Sequence, residues 1–107
     1  MTQQPSPVSP GFQAFAAAAP GHAQAWSAMV QGLAAASALE KKTAALAYLA
    51  VLAALRLESG VPFHVQMARQ LGASRDEIVS AVLLGLPAAG HGVTQVLPTA
   101  LRAYDGE

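Results

Sequence analysis

The chain contains no cysteine. It therefore has no disulfide, no thiolate metal ligand and no sulfur nucleophile of its own. Charge is scarce too: six basic and six acidic side chains make up 11% of 107 residues, against about 25% in an ordinary globular domain. They cancel to zero, and no run of cations exceeds Lys41-Lys42, so the electrostatic footprint of a nucleic-acid binder is missing. The longest apolar run, Ala44 to Leu55, has twelve residues, short of the roughly 18 to 20 that a membrane-spanning helix needs. The three histidines stand 42 and 27 residues apart with no neighbouring acidic ligand at metal-site spacing, so no metal is expected. The opening Met1-Thr2-Gln3-Gln4-Pro5 has neither the positive start nor the apolar centre of a secretory signal. Together these features lead us to expect a cytoplasmic protein, with no membrane or nucleic-acid partner.

What the chain does have is hydrocarbon. Hydrophobic residues account for 53%, more than a monomer this small can enclose behind so few charges. The expectation is an obligate-type homo-oligomer that buries the surplus between copies.

Residues 1–10 carry three prolines and read as a disordered or extended arm; residues 11–107 read as a single helical domain. Alanine and leucine dominate from Gly11 onward, with little β-branched alternation, which is helix composition. A first helix is expected over 12–19, stopped by Pro20-Gly21. A second should run over 22–36 with a core stripe of Trp26, Met29, Val30 and Leu33. Ser37 and Glu40 have the form of a capping box for a third helix over 39–56. That helix is apolar on every side and so should be enclosed all round. Pro62 suits the first turn of a fourth helix, which should end at Gly72. Ser74 and Glu77 form a second capping box, opening a fifth helix that should stop near Pro87. Gly90-His91-Gly92 reads as a flexible hinge, and a last helix over 94–104 accommodates Pro98 only near its first turn. The fold class is all-α, a bundle of five to six helices.

Several of these pieces together resemble the carboxymuconolactone decarboxylase family, with its alkylhydroperoxidase D-like fold. They are Ala38 to Thr43 with the apolar helix after it, His64, Gly72 eight residues on, the run Ala73 to Ile78, and Leu83-Leu84. The resemblance covers roughly half the chain. Redox members of the family carry a Cys-x-x-Cys pair. Here the two cysteine positions fall at Leu57 and Gly60, the histidine between them at Ser59, and the upstream glutamate of the proton relay at Ala45. His64 alone is kept, so the resemblance points away from thiol peroxidase chemistry and toward the lactone decarboxylase branch. It implies a small all-α subunit in a ring or trimer-based assembly, a trimer or hexamer, with pockets near the fourth helix.

His64 is then the leading candidate site residue. Near a helix start, the positive dipole end and burial both disfavour a charged ring, leaving a neutral imidazole able to act as base. The competing reading is a packed histidine satisfied by a backbone carbonyl. Glu58, six residues earlier, is a candidate to orient that imidazole, or else the solvated end of the third helix. His91, between two glycines, is a candidate loop group, or else an exposed hinge residue. Arg56 and Arg69 are candidates to bind a carboxylate substrate, though surface solvation explains them equally. Trp26, Phe63 and Met67 read as core or interface packing, and Ser59 as a turn residue.

Two functions follow. One is a cofactor-free lyase or isomerase acting on a small organic acid or lactone, with His64 as general acid/base. The other is a catalytically inactive oligomeric binding or scaffold protein. A cavity of about 300 Å³ or more that contains His64 and another polar group would favour the first.

Overall fold

The computed structural model describes residues 7–107, and among them there is no β-strand. Seven α-helices follow in order: α1 (Pro10–Ala18), α2 (Pro20–Ala36), α3 (Lys41–Ala54), α4 (Val61–Gln70), α5 (Arg75–Leu83), the four-residue α6 (Leu86–Ala89) and α7 (Leu97–Asp105). Two 3-10 segments, Glu58–Gly60 and His91–Val96, join α3 to α4 and α6 to α7. Setting aside the single turn of α6, this is the expected all-α bundle. Part of the expected N-terminal arm, residues 1–6, lies outside the described residues. Helix α1 begins inside the rest of that arm, at Pro10, because Ser9 caps it by accepting a hydrogen bond from the Phe12 N–H.

The body is built from α3, α4, α5 and α7, with the second 3-10 segment wedged among them. Its core is mostly valine and alanine around three larger side chains, Leu49 and Ile78, both fully buried, and Leu52. No polar side chain is buried with them. Small residues let the short helices approach closely, so a core of modest volume closes on itself. Two ion pairs brace its outside, Lys42 to Glu77 at 3.2 Å and Arg75 to Asp105 at 3.1 Å. Tyr104 of α7 donates its hydroxyl to the Ala73 carbonyl, tying the last helix to the turn before α5.

Three helices end in the same way. An N–H two or three residues past the helix end reaches back to a carbonyl five residues earlier: Leu57 to Leu52, Ala73 to Ala68, and Glu107 to Arg102, at 2.8 to 2.9 Å. Each closure requires a left-handed residue just before the donor. Gly72 and Gly106 supply it after α4 and α7, with φ of 96° and 83°. After α3 the position is held by Arg56, at φ 57°, the one described residue other than glycine with positive φ.

Several sequence expectations are corrected. Helix α3 begins at Lys41, and Glu40 is itself the cap, accepting from the Lys42 N–H. Ser37 instead accepts from the Leu39 N–H in a local turn, so the first capping box does not form. The box at Ser74 and Glu77 forms in full, with both reciprocal bonds present. Helix α5 stops at Leu83, and Pro87 begins the short α6 rather than ending α5. The supposed hinge at 90–92 leads directly into the 3-10 segment that starts at His91.

The largest correction concerns α2. None of its residues is buried, and Met29 and Leu33 of the expected core stripe are 52% and 64% exposed. The reason is positional: α1 and α2 pack chiefly on each other, as a hairpin lying against the outside of the body. Nor is α3 enclosed all round. Leu49, Leu52 and Ala53 are buried, while Tyr48, Val51 and Leu55 face outward.

Candidate functional site

The 3-10 turn Glu58–Gly60 feeds straight into α4, whose first turn holds Pro62 and ends at His64. Helical periodicity then divides the side chains of α4 among three neighbours. Val61, Val65 and Ala68 enter the core. Gln66 and Arg69 point to α7, donating to the carbonyls of Ala103 and Tyr104. Phe63, His64 and Met67 face the α1–α2 hairpin across an unfilled space.

That space is a cavity of about 420 Å³. Its wall is mostly apolar, with Phe12 of α1, Trp26 and Val30 of α2, and Phe63 and Met67 of α4 among the lining residues. Four polar side chains besides His64 reach it: Ser9, Ser27, Gln31 and Ser59. Phe12 and Trp26 meet edge to face with ring centroids 5.2 Å apart, which stiffens the hairpin side of the wall.

His64 is half-buried against two aromatic rings. Tyr48 of α3 lies 4.5 Å away, tilted by 38°, and Phe63 lies 5.2 Å away, edge on. Among the described residues the imidazole makes no hydrogen bond. Neither ring nitrogen is sealed off without a partner, so both stay open to the cavity or to solvent. Burial pushes its pKa below the ordinary histidine value. The ring is therefore neutral at pH 7, with one nitrogen free to accept a proton and the other to donate a hydrogen bond.

The other candidate residues lie apart from this group. Glu58 precedes Ser59 in the 3-10 turn but is exposed, does not line the cavity, and has no side-chain partner among the described residues. His91 is exposed at the start of the second 3-10 segment, also away from the cavity, where its carbonyl accepts from the Thr94 hydroxyl. Arg56 lays its guanidinium over Gly92, so closely that a Cβ on that glycine would overlap it. Arg69 is engaged by α7, with its guanidinium 5.1 Å from the centre of the Tyr104 ring. The structure thus places His64 in the cavity and leaves Glu58, His91, Arg56 and Arg69 outside its lining.

Sequence reasoning missed Tyr48, which stood in the sequence as one more apolar residue of α3. It read Trp26, Phe63 and Met67 as core or interface packing; none of the three is buried, and all line the cavity. Their three- and four-residue spacing was visible; the gap between two such faces was not. Among the described residues no three histidine, aspartate or glutamate side chains gather at metal-binding distance, and no helix is long and apolar enough to cross a membrane.

Comparison with known proteins agrees with this architecture at one level. The model of the carboxymuconolactone decarboxylase family matches residues 20–104. No curated protein and no solved structure matches the chain.

Proposed function

The chain belongs to the carboxymuconolactone decarboxylase family, and on that premise we propose that it is a cofactor-free lyase or isomerase of a small lactone or organic acid, with His64 as the acid/base. The supporting observation is the neutral, unbonded imidazole of His64 facing a cavity of about 420 Å³. A packed structural histidine would have both nitrogens satisfied and no space beside it. In the proposed step His64 takes a proton from a carbon next to the substrate carbonyl. The C–H bond breaks, an N–H bond forms, and the electron pair passes to the carbonyl oxygen. The hydroxyls of Ser9, Ser27 and Ser59 and the Gln31 amide are the lining donors available to that oxygen. In a substrate with a β,γ double bond the imidazolium then returns the proton to the γ carbon, and the double bond moves into conjugation with the carbonyl. With leucine at position 57 and glycine at position 60, thiol peroxidase chemistry has no nucleophile.

The test is turnover of a panel of lactones and keto acids by the wild type and by His64→Ala and His64→Gln. General acid/base catalysis contributes about 10²- to 10⁴-fold, so both variants should lose at least about 100-fold in kcat. Undiminished turnover in the variants removes His64 from the reaction.

We further propose that the protein works as a homo-oligomer, a trimer or hexamer. Met29 and Leu33 on α2, and Val51 and Leu55 on α3, are each more than half exposed, with Leu84 at 70%. Exposed apolar faces of this kind mark surfaces that associate. The same stripes favour the second reading, an inert assembly protein, and a wild type that converts no member of the panel would select it. Light scattering that shows a stable monomer would overturn the assembly.

A further inference from the structure

The charge of the cavity wall narrows what can enter. Every Asp, Glu, Lys and Arg of the chain is among the described residues, and none of them lines the cavity, whose one titratable side chain is the neutral His64. Residues 1–6, which lie outside the description, add no ionisable side chain. Arg56 and Arg69, the two cations with the reach to clamp a carboxylate, are placed over Gly92 and against Tyr104. A carboxylate entering this space would give up hydration with no opposite charge to replace it, a loss of several kcal/mol in a hydrocarbon setting. An uncharged molecule has no such penalty. It gains instead from contact with Phe12, Trp26, Val30, Phe63 and Met67.

We propose that the cavity is the binding site for an uncharged, largely apolar molecule carrying one hydrogen-bonding oxygen, a neutral lactone or ketone rather than an organic acid. His64 stands beside that oxygen and the carbon next to it, the hydroxyl and amide groups of the lining donate to the oxygen, and the aromatic and aliphatic wall holds the hydrocarbon. The cavity volume falls within the range of small-molecule sites, about 300 to 1,000 Å³, and leaves room for one ring with a substituent. This rests on reading the cavity as the substrate site of the proposed reaction. It narrows that reaction to substrates that arrive without charge, which sets aside decarboxylation of a bound carboxylate.

The only tryptophan of the chain, Trp26, stands in the wall, so its fluorescence reports occupancy directly. The experiment titrates the full-length protein with three probes of similar shape. They are γ-phenyl-γ-butyrolactone, its ring-opened carboxylate 4-hydroxy-4-phenylbutyrate, and propylbenzene, which has no oxygen. The lactone should change Trp26 emission saturably, with a Kd at least tenfold below that of the carboxylate. His64→Ala should weaken the lactone at least threefold and leave propylbenzene unchanged, a control showing that the variant keeps its fold and its cavity. A carboxylate that binds as tightly as the lactone overturns the proposal, and so does failure of all three probes to bind. Because binding is read without turnover, the two readings fail separately. Lactone binding with no conversion of any member of the turnover panel sinks the enzyme, and a tightly bound carboxylate sinks the neutral-ligand assignment alone.

Discussion

Replacing Arg56 with glycine should stabilise the protein, even though it deletes the larger side chain. The closure after α3 matches those after α4 and α7 in its hydrogen bond, yet it places a Cβ where the other two have none. A left-handed residue with a Cβ costs about 1 to 2 kcal/mol in backbone strain. Glycine removes that strain but brings a more flexible unfolded chain, which takes back about 0.5 to 1 kcal/mol. The guanidinium is exposed, so its contact over Gly92 contributes no more than a few tenths of a kcal/mol. The net gain should be about 0.5 to 1 kcal/mol, a rise of roughly 2 to 6 °C in Tm for a domain of this size. Gly92→Ala supplies the cross-check. In the wild type its new methyl collides with the Arg56 guanidinium, which must swing into solvent, so the change should be neutral or slightly destabilising. In the Arg56→Gly background the atoms nearest that methyl, all of the Arg56 guanidinium, are gone, and the change should stabilise by about 0.4 to 1 kcal/mol through the unfolded chain. Thermal unfolding of the four proteins forms a double-mutant cycle. An Arg56→Gly variant that melts several degrees lower would show that the guanidinium stabilises more than the backbone loses. Additivity in the cycle would show that the two residues do not touch.

Ser74→Ala should cost about 1 kcal/mol by removing the cap of α5, whereas Ser37→Ala, at the box that does not form, should stay within about 0.5 kcal/mol; chemical denaturation of the pair decides. The imidazole of His64 titrates below its unfolded value, so its contribution to stability is complete above about pH 6.5 and lost as pH falls through the lower folded value. Between those limits the wild type should lose more stability than His64→Gln, and equal losses would contradict the burial of the ring. Asp105, hydrogen-bonded by Arg75, and Glu77, held by the Ser74 N–H, both titrate below the usual carboxylate range. Their stabilisation should persist into acid and disappear only as pH falls through those lowered values. Asp105→Asn should therefore flatten the acid limb of a melting-temperature profile.

Local chemistry was legible in the sequence where only one outcome was open. Ser74 and Glu77 flank a single possible helix start, and the box appears there. Ser37 and Glu40 offered two, since either can accept from a free helix N–H, and the choice fell to Glu40 because the chain turns at Leu39 before the helix begins. Pro62 and Pro98 were placed correctly in first turns, because a residue without an N–H has few other places in a helix. The stripe on α2 was read correctly as a stripe, but a period states which residues share a face and not what lies opposite. The cavity was hidden for the same reason. Phe12 and His64 are 52 positions apart, and their meeting depends on how the hairpin sits against α4. The left-handed Arg56 escaped notice because sequence reasoning looks for glycine at such positions. His64 drew attention through the family resemblance, and of the five candidate site residues it is the one that lines the cavity.

The hairpin forms one side of the cavity, yet neither α1 nor α2 buries a residue of its own. A wall so lightly anchored has little holding it except what fills the gap behind it. Guest occupancy and seating of the α1–α2 hairpin are then a single linked equilibrium. A molecule that enters lends the hairpin the core it lacks. Once the guest departs, this is the part of the chain that a protease or an exchanging amide should reach first.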